Sequence, residues 1–281
     1  MNELHWTIPA KTFLIGEYAA LAGESAILLT TTPHFELSLT DNPGLHGIHP
    51  DSPAGIWWRQ CDALSNFGVH WQDPYQGLGG MGASSAQFIG VYKASLALTG
   101  QSLNPEQLLA DYRSITHAET GISPSGYDVL AQLQQGCVYI NRENHVYESY
   151  PWPFQDLGYI LVHTQHKLAT HQHLQTLPPL STIEDLVALV ASAKIACNHQ
   201  DSQRFIDAIN AYHLALCERS WVAPHALALI ARLQKFPDIL AVKGCGALGA
   251  DVLLVLVAEL QREQQVHLLA THDFKILKIL S

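Results

Sequence analysis

The sequence predicts an α+β fold in two parts, a β-rich N-terminal half and a helix-rich C-terminal half. Segments of strand-like alternation dominate the first forty residues, and helical runs dominate residues 181–235. A chain of 281 residues, 48% of them apolar, suits one large or two modest domains. Pro151-Trp152-Pro153 separates the two kinds of pattern. We therefore expect two lobes, residues 1–152 and 153–281.

The N-terminal elements follow from alternation and from breakers. Short apolar stretches predict strands at Thr12–Ile15, Ser25–Thr32 and His34–Thr40. The segment Asp41–Pro53 is rich in Pro, Gly, Asp and His and predicts a surface loop. A helix is expected at Cys61–Phe67.

The middle of the chain alternates between helix and strand signals. Ser84–Leu98 contains one internal glycine and ends at Gly100, which is typical of a helix with its stop signal. Asn104-Pro105 predicts the capped start of a helix that extends to about residue 117. Strands are expected at Gly136–Ile140 and Tyr159–His163.

The C-terminal half is mostly helical. Ser181–Glu184 has the pattern of a capping box before an apolar run. Further helices are expected at about Ser202–Cys217 and Pro224–Lys235, and a strand at Asp251–Val257.

Composition limits the classes of function. The formal net charge of −10 disfavours nucleic acid or an anionic membrane as a partner. The five cysteines have no CxxC spacing, which favours reduced thiols over a disulfide framework or a zinc site. No signal peptide is visible at Met1–His5, and the apolar run Val252–Ala258 is too short to cross a bilayer. We expect a soluble cytoplasmic protein, a monomer or a homodimer.

The first candidate site is the glycine-rich stretch Gly77–Ala86. Glycines let a backbone approach a phosphate closely, and the helix that follows directs free N–H groups at the anion. The stretch lacks the lysine of a Walker A loop, and it lacks the preceding strand and the later acidic residue of a Rossmann site. A hydrolase-type elbow and a plain flexible loop remain alternatives.

Two further glycine-marked segments carry possible chemistry. Ser123–Asp128 delivers a carboxylate just before a helix-like run, and Asp128 is either a helix cap or a catalytic base. Lys243–Asp251 leads into a strand and, taken alone, is compatible with an ordinary turn.

Together with Pro9-Ala10-Lys11 and Gly16-Glu17-Tyr18, these segments resemble the motif set of the GHMP kinases, the superfamily of galactokinase, homoserine, mevalonate and phosphomevalonate kinases. Their order and spacing agree with that family over nearly the whole chain. The resemblance implies a two-lobed GHMP kinase-like fold with the site between the lobes. It also implies ATP and Mg²⁺ as cofactors and a small alcohol as the acceptor of phosphate.

The resemblance further implies roles for individual residues. Asp128 would be the base, and Lys11 would lie beside it as a positive charge that eases proton removal. Glu119 and Ser84 would hold the magnesium ion. The predicted phosphate-binding residues are Gly79, Gly80, Gly82, Ala83, Ser84 and Ser85. The predicted substrate-binding residues are Glu17, Tyr18, Thr170, Gly246 and Ala247.

Two kinds of observation bear on the choice of substrate. Thr164 and Thr170 resemble a pair of threonines in mevalonate-pathway kinases, and Ser123–Asp128 is similar to the mevalonate kinase motif. Phosphomevalonate carries roughly two more negative charges, for which sites usually recruit Arg or Lys, and this chain has only 15 of those residues. Mevalonate is favoured; phosphomevalonate and homoserine are the alternatives. Histidines between residues 163 and 173 suggest a metal, but their spacing does not place three on one face.

The chain departs from the family pattern at several glycine or serine positions. The substituting residues are Ala10, Ala83, Leu248 and Ala250. Added side chains near a phosphate weaken binding, so a catalytically impaired GHMP-fold protein and a serine hydrolase stay as alternatives.

Overall fold

A computed structural model of the chain describes residues 4–120, 124–166 and 183–277, with the side chains of residues 118–120 outside the description. The first half forms a six-stranded sheet. Its strands are β1 (His5–Ile15), β2 (Ala26–Thr40), β3 (Gly44–His46), β4 (Gly68–Gln72), β5 (Cys137–Asn141) and β6 (Val146–Tyr150). The order is β3-β4-β2-β5-β6, with β1 paired to β2, and all pairs except β3 with β4 are antiparallel.

Strand β2 organises this sheet. One edge pairs with β1, from Ile27 with Ile15 to Ser38 with His5. The other edge pairs with β5 in its first half and with β4 in its second half. The predicted strands Ser25–Thr32 and His34–Thr40 are therefore one strand in the structure.

Four helices accompany this sheet: α1 (Pro53–Gln60), α2 (Ala83–Thr99), α3 (Pro105–Thr120) and α4 (Tyr127–Ala131). Helix α2 confirms the prediction for Ser84–Leu98, and Asn104 caps α3 by accepting from the N–H groups of residues 106 and 107. Of the helix predicted at Cys61–Phe67, the structure contains only a short 3₁₀ helix at Asp62–Leu64, and the α-helix of this region is α1. Helix α1 lies just before the predicted segment, because the Ser52 hydroxyl accepts from the Gly55 N–H and Pro53 suits the first helical position.

The second half forms a four-stranded antiparallel sheet of order β10-β7-β9-β8. Its strands are β7 (Leu157–His163), β8 (Ile239–Cys245), β9 (Val252–Ala258) and β10 (Lys275–Ile276). Its helices are α5 (Glu184–His199), α6 (Ser202–Glu218), α7 (Pro224–Leu233) and α8 (Arg262–Thr271). Mixed helices and strands in two sheets confirm the predicted α+β class.

One hydrophobic cluster contains residues of both sheets, among them Ile8 and Phe35 of the first and Ile160 and Val255 of the second. The change from one sheet to the other falls between β6 and β7; the boundary at residue 152 stays a prediction. No helix in the described ranges is both long and apolar enough to span a membrane. All five cysteines are free thiols.

Candidate active site

The glycine-rich stretch runs from the end of β4 to the start of α2. Its first turn is held by Asp73, whose carboxylate accepts from the N–H groups of Tyr75 and Gly77, each at 2.8 Å. Its last glycine, Gly82, has φ +80° and occupies the N-cap of α2. Ser84 is exposed in the first turn of that helix. The free N–H groups of a 17-residue helix are therefore available to an anion here.

The glycines are needed because the loop packs against the start of β9. A Cβ on Gly79 would lie 2.7 Å from Oδ2 of Asp251, and one on Gly80 would lie 2.6 Å from Cγ2 of Val252. Gly80 also has φ +84°. The first and third glycine-marked segments are thus in direct contact.

The second segment brings Asp128 to the same place. Gly126 has φ +75° and is the N-cap of α4, so Asp128 does not fill the capping position. The neighbouring Tyr127 is fully buried, and its Oη lies 2.6 Å from the Gly23 carbonyl oxygen and accepts from the Arg142 N–H. The start of α4 is therefore anchored to the protein interior while Asp128 stays half-buried.

These parts meet at a cleft of about 250 Å³. Lys11 from β1 and Asp128 from α4 both line it. Three of the predicted substrate-binding residues line the cleft: Glu17, Gly246 and Ala247. Gly80 of the phosphate loop lines it as well. The Nζ of Lys11 lies 5.3 Å from the centroid of the Phe13 ring. The cleft thus gathers residues from four separate parts of the sequence.

Glu17 and Tyr18 point mainly into the protein. The Lys243 ammonium donates to Oε1 of Glu17 at 2.7 Å, and both side chains are almost fully buried. Burial raises the pKa of the Glu17 carboxyl, and the positive charge of Lys243 opposes that rise. Tyr18 is 1% exposed, stacks on Trp221 and accepts from the Leu248 N–H. The Tyr18 hydroxyl is therefore engaged with protein groups, and burial raises its pKa.

Gln132 is a site residue that the sequence analysis missed. It is 1% exposed, and its Nε2 donates to the carbonyls of Pro9 at 2.8 Å and of Gly82 at 3.1 Å. Its Oε1 accepts from the Ser85 hydroxyl. The amide thus ties the strand that carries Lys11 to the first turn of α2. The available signal was its position four residues after Asp128, on the same side of a helical turn.

His163 and Asp251 form a second missed feature behind the glycine loop. The Nδ1 of His163 accepts from the Gln165 N–H at 2.9 Å, which assigns the ring hydrogen to Nε2. Burial lowers the pKa of His163, the nearby Asp251 carboxylate raises it, and the positive charge of Lys275 lowers it. The imidazole therefore lies near the Asp251 carboxylate, on which Gly79 packs, and its Nε2 is buried without a hydrogen-bond partner among the described residues.

The residues that differ from the GHMP kinase motif pattern have different structural consequences. Leu248 has φ +58°, so it keeps a backbone conformation that favours glycine. Ala250 has φ −73°, which suits any residue, and its carbonyl accepts from the Thr164 hydroxyl. Burial raises the pKa of Cys245 to about 11, which makes it an unreactive thiol.

Some predicted site residues lie outside the described part. Thr170, His171 and His173 are among them, and so is the side chain of Glu119. Within the described ranges, no group of three or more His, Cys, Asp or Glu side chains is arranged to hold a metal ion.

The fold matches solved structures over almost its whole length. No family model and no curated protein sequence matches the chain. A mevalonate kinase from Methanococcus jannaschii superposes with a TM-score of 0.75 at 14% identity, covering 100% of this chain and 99% of that one. A phosphomevalonate kinase from Streptococcus pneumoniae gives 0.78 at 15% identity, covering 99% of both chains. A galactokinase from Lactococcus lactis, complexed with galactose, gives 0.78 at 13% identity, covering 99% of this chain and 94% of that one.

These three proteins are the kinds of kinase that the motif set resembles, and the whole chain takes part in each match. Identities this low establish the fold alone and leave the activity and its substrate open. The chain has the two-lobed GHMP kinase fold.

Proposed function

We propose that this chain is an ATP-dependent phosphotransferase that phosphorylates the hydroxyl of a small alcohol, with mevalonate as its first candidate acceptor. The observation that carries the proposal is the meeting of the glycine loop, Lys11 and Asp128 at one cleft. Solved structures of the same fold include a mevalonate kinase in complex with R-mevalonate and a phosphomevalonate kinase in complex with phosphomevalonate and AMPPNP.

Phosphoryl transfer depends mostly on positioning and on charge stabilisation. In our proposal the loop backbone and the N-terminus of α2 hold the phosphates of ATP, with Gly79, Gly80, Gly82, Ala83, Ser84 and Ser85 contributing. Asp128 removes the proton of the attacking hydroxyl, and Lys11 stabilises the negative charge that develops there. A positioned base contributes about 10²–10⁴-fold to such a reaction.

Magnesium fits the oxygen donors present. Mg²⁺ in kinases is held by one or two carboxylates together with the phosphates, and it does not need an all-protein cage. The exposed Ser84 hydroxyl lies at the start of α2, and Asp128 and Asp251 line the cleft with Gly80. We propose Ser84 and, from the family resemblance, Glu119 as its ligands, although the side chain of Glu119 lies outside the described part. The ion would neutralise phosphate charge there.

The charges around the cleft favour an acceptor with little negative charge. Among the described residues that line it, Lys11 is the one cation, while Glu17, Asp128 and Asp251 are acidic. Lys243 is committed to Glu17. Mevalonate brings one carboxylate, whereas phosphomevalonate adds roughly two charges that need further cations. Phosphomevalonate and homoserine are the next candidates. We also propose that the enzyme acts in the cytoplasm, since its thiols are free.

The test is ADP release with mevalonate, phosphomevalonate, homoserine and galactose as acceptors. We expect turnover with mevalonate and a loss of about 10²–10⁴-fold in Asp128→Asn, with unchanged ATP affinity. Asp207→Asn, an exposed carboxylate on α6, is the matched control and should keep full activity. The proposal fails if no acceptor gives turnover above that of Asp128→Asn.

A further inference from the structure

A second cavity, of about 530 Å³, lies between α3, α4 and the β5–β6 hairpin. Its floor is apolar and includes Leu109, Leu130, Val138 and Ile140, which belong to a hydrophobic cluster distinct from the main core. Tyr147 lies at its edge and is 44% exposed. The cavity is larger than the candidate active cleft and shares no lining residue with it among those described.

Two arginines line one side of this cavity. Arg113 donates from Nε to the Pro124 carbonyl at 3.1 Å, and Arg142 donates from Nη1 to the Ser125 carbonyl at 2.8 Å. The Nη2 of Arg113 also lies 3.5 Å from the Ser125 carbonyl oxygen. Two guanidinium groups therefore converge on one short backbone segment.

The arginine pair is only partly balanced by acidic groups: Oε1 of Glu143 and Nη2 of Arg142 lie 3.2 Å and 3.3 Å from the position that a Cβ on Gly23 would occupy. Among the described side chains, no carboxylate lies within ion-pair distance of either guanidinium. The acidic residue that shares the cavity wall, Glu106, is exposed at the start of α3. Burial lowers the pKa of Arg113, and the nearby charge of Arg142 lowers it further. A guanidinium has five N–H donors, so each arginine retains donors for an additional acceptor.

We propose that this cavity binds a small molecule with an apolar chain and a single anionic head group. The chain lies on the floor formed by Leu109, Leu130, Val138 and Ile140, and the head group pairs with Arg113 and Arg142. An apolar floor stabilises the chain by removing it from water, and the paired guanidiniums recognise the anion. The carbonyls that hold these arginines belong to Pro124 and Ser125, which also line the active cleft. The proposed site and the cleft thus share one loop.

The experiment is calorimetric titration of the full chain with octanoate, with acetate and octyltrimethylammonium as comparison probes. We expect one octanoate per chain, with much weaker binding of acetate, which lacks the apolar chain, and of the cation. Arg142→Gln should weaken octanoate binding about tenfold or more, since a charge-assisted contact is lost. Ala110→Trp, which adds bulk at the exposed edge of the cavity and keeps both arginines, should remove it.

Arg59→Gln is the matched control, because Arg59 is an exposed arginine of α1 that pairs with Asp51. It should leave octanoate binding unchanged. The proposal is overturned if octyltrimethylammonium binds as tightly as octanoate, if Arg59→Gln weakens binding as much as Arg142→Gln, or if Ala110→Trp binds normally. It is also overturned if light scattering shows a dimer that Ala110→Trp dissociates, since the cavity would then be an interface between copies.

Discussion

The ammonium of Lys243 lies 2.7 Å from Oε1 of Glu17, although 226 positions of sequence separate the two residues. Glu17 follows β1 of the first sheet, and Lys243 lies within β8 of the second. The two side chains are 2% and 0% exposed, and Oε2 of Glu17 is buried without a hydrogen-bond partner among the described residues. A buried ion pair therefore joins the two sheets directly beneath the candidate cleft.

Glu17→Gln should destabilise the protein strongly. It leaves the Lys243 ammonium buried without an opposite charge, which costs about 3–5 kcal/mol in comparable cases. The double variant Glu17→Gln/Lys243→Met should recover much of that loss, because neither charge then remains. Urea unfolding of the three proteins measures the free energy of unfolding. If the double variant is no more stable than Glu17→Gln, the ion pair is not the source of the loss.

Gly80→Ala should displace the glycine loop, whereas Gly77→Ala should not. Both residues have a left-handed φ, so each alanine costs about 1–2 kcal/mol in backbone strain. Only at Gly80 would the new methyl group meet β9, at 2.6 Å from Val252; at Gly77 nothing lies within 4 Å. We expect the affinity for a non-hydrolysable ATP analogue to fall in Gly80→Ala alone. Equal losses in both variants would contradict contact with β9 as the cause.

Gln132→Met should weaken the phosphate loop while keeping a side chain of similar size. The change removes the bonds from Gln132 to Pro9, Gly82 and Ser85, so the Pro9 carbonyl loses its side-chain donor, and an unpaired buried group costs about 1–3 kcal/mol. The Gly82 carbonyl keeps the Ala86 N–H and the Ser85 hydroxyl as donors. We expect a lower free energy of unfolding together with a higher KM for ATP. Gln134→Met, at an exposed position two residues later, is the control. An unchanged KM for ATP would show that Gln132 serves stability alone.

The stability of the protein should fall as the pH drops below about 6.5, the ordinary pKa of histidine. Burial holds the pKa of His163 below that value in the folded state, so the unfolded chain binds the proton first. The stabilisation is present above pH 6.5 and is lost as the pH falls toward the folded-state pKa. Thermal unfolding between pH 7.5 and 5.5 measures this slope. His163→Gln should reduce the slope without abolishing it, because burial also lowers the pKa of His213. His117→Gln, at an exposed position, should leave the slope unchanged. Equal slopes in all three proteins would refute the assignment.

Local signals predicted the parts of the site that depend on turns. Gly80 and Gly126 mark places where the backbone is left-handed, and a glycine in a motif reports that conformation directly. Asn104 and Gly100 likewise mark the ends of helices. These features depend on a few neighbouring residues, which is why the sequence alone was sufficient.

Contacts between distant segments were not predictable in the same way. Lys243 begins the third glycine-marked segment, yet its ammonium forms an ion pair with Glu17. The two residues are far apart in the sequence, so their contact exists only in the folded chain. Gln132 is an ordinary residue in the sequence and becomes important because Pro9 and Gly82 come to lie beside it. Strand β8 was not predicted because five of its seven residues are buried, so its sequence does not alternate between apolar and polar residues. Strand β6 was not predicted because its middle residues are exposed, so it has no apolar face that the sequence pattern reveals.

The double pairing of β2 limits how the chain can change in length. A residue inserted within Ala26–Thr40 would turn the following side chains to the opposite face and shift their pairing with β1 on one edge and β4 on the other. Because β1 carries Lys11, such an insertion would also move that ammonium relative to Asp128. In homologous sequences, insertions and deletions should therefore occur in exposed turns such as Glu143–His145 and be absent from strand β2.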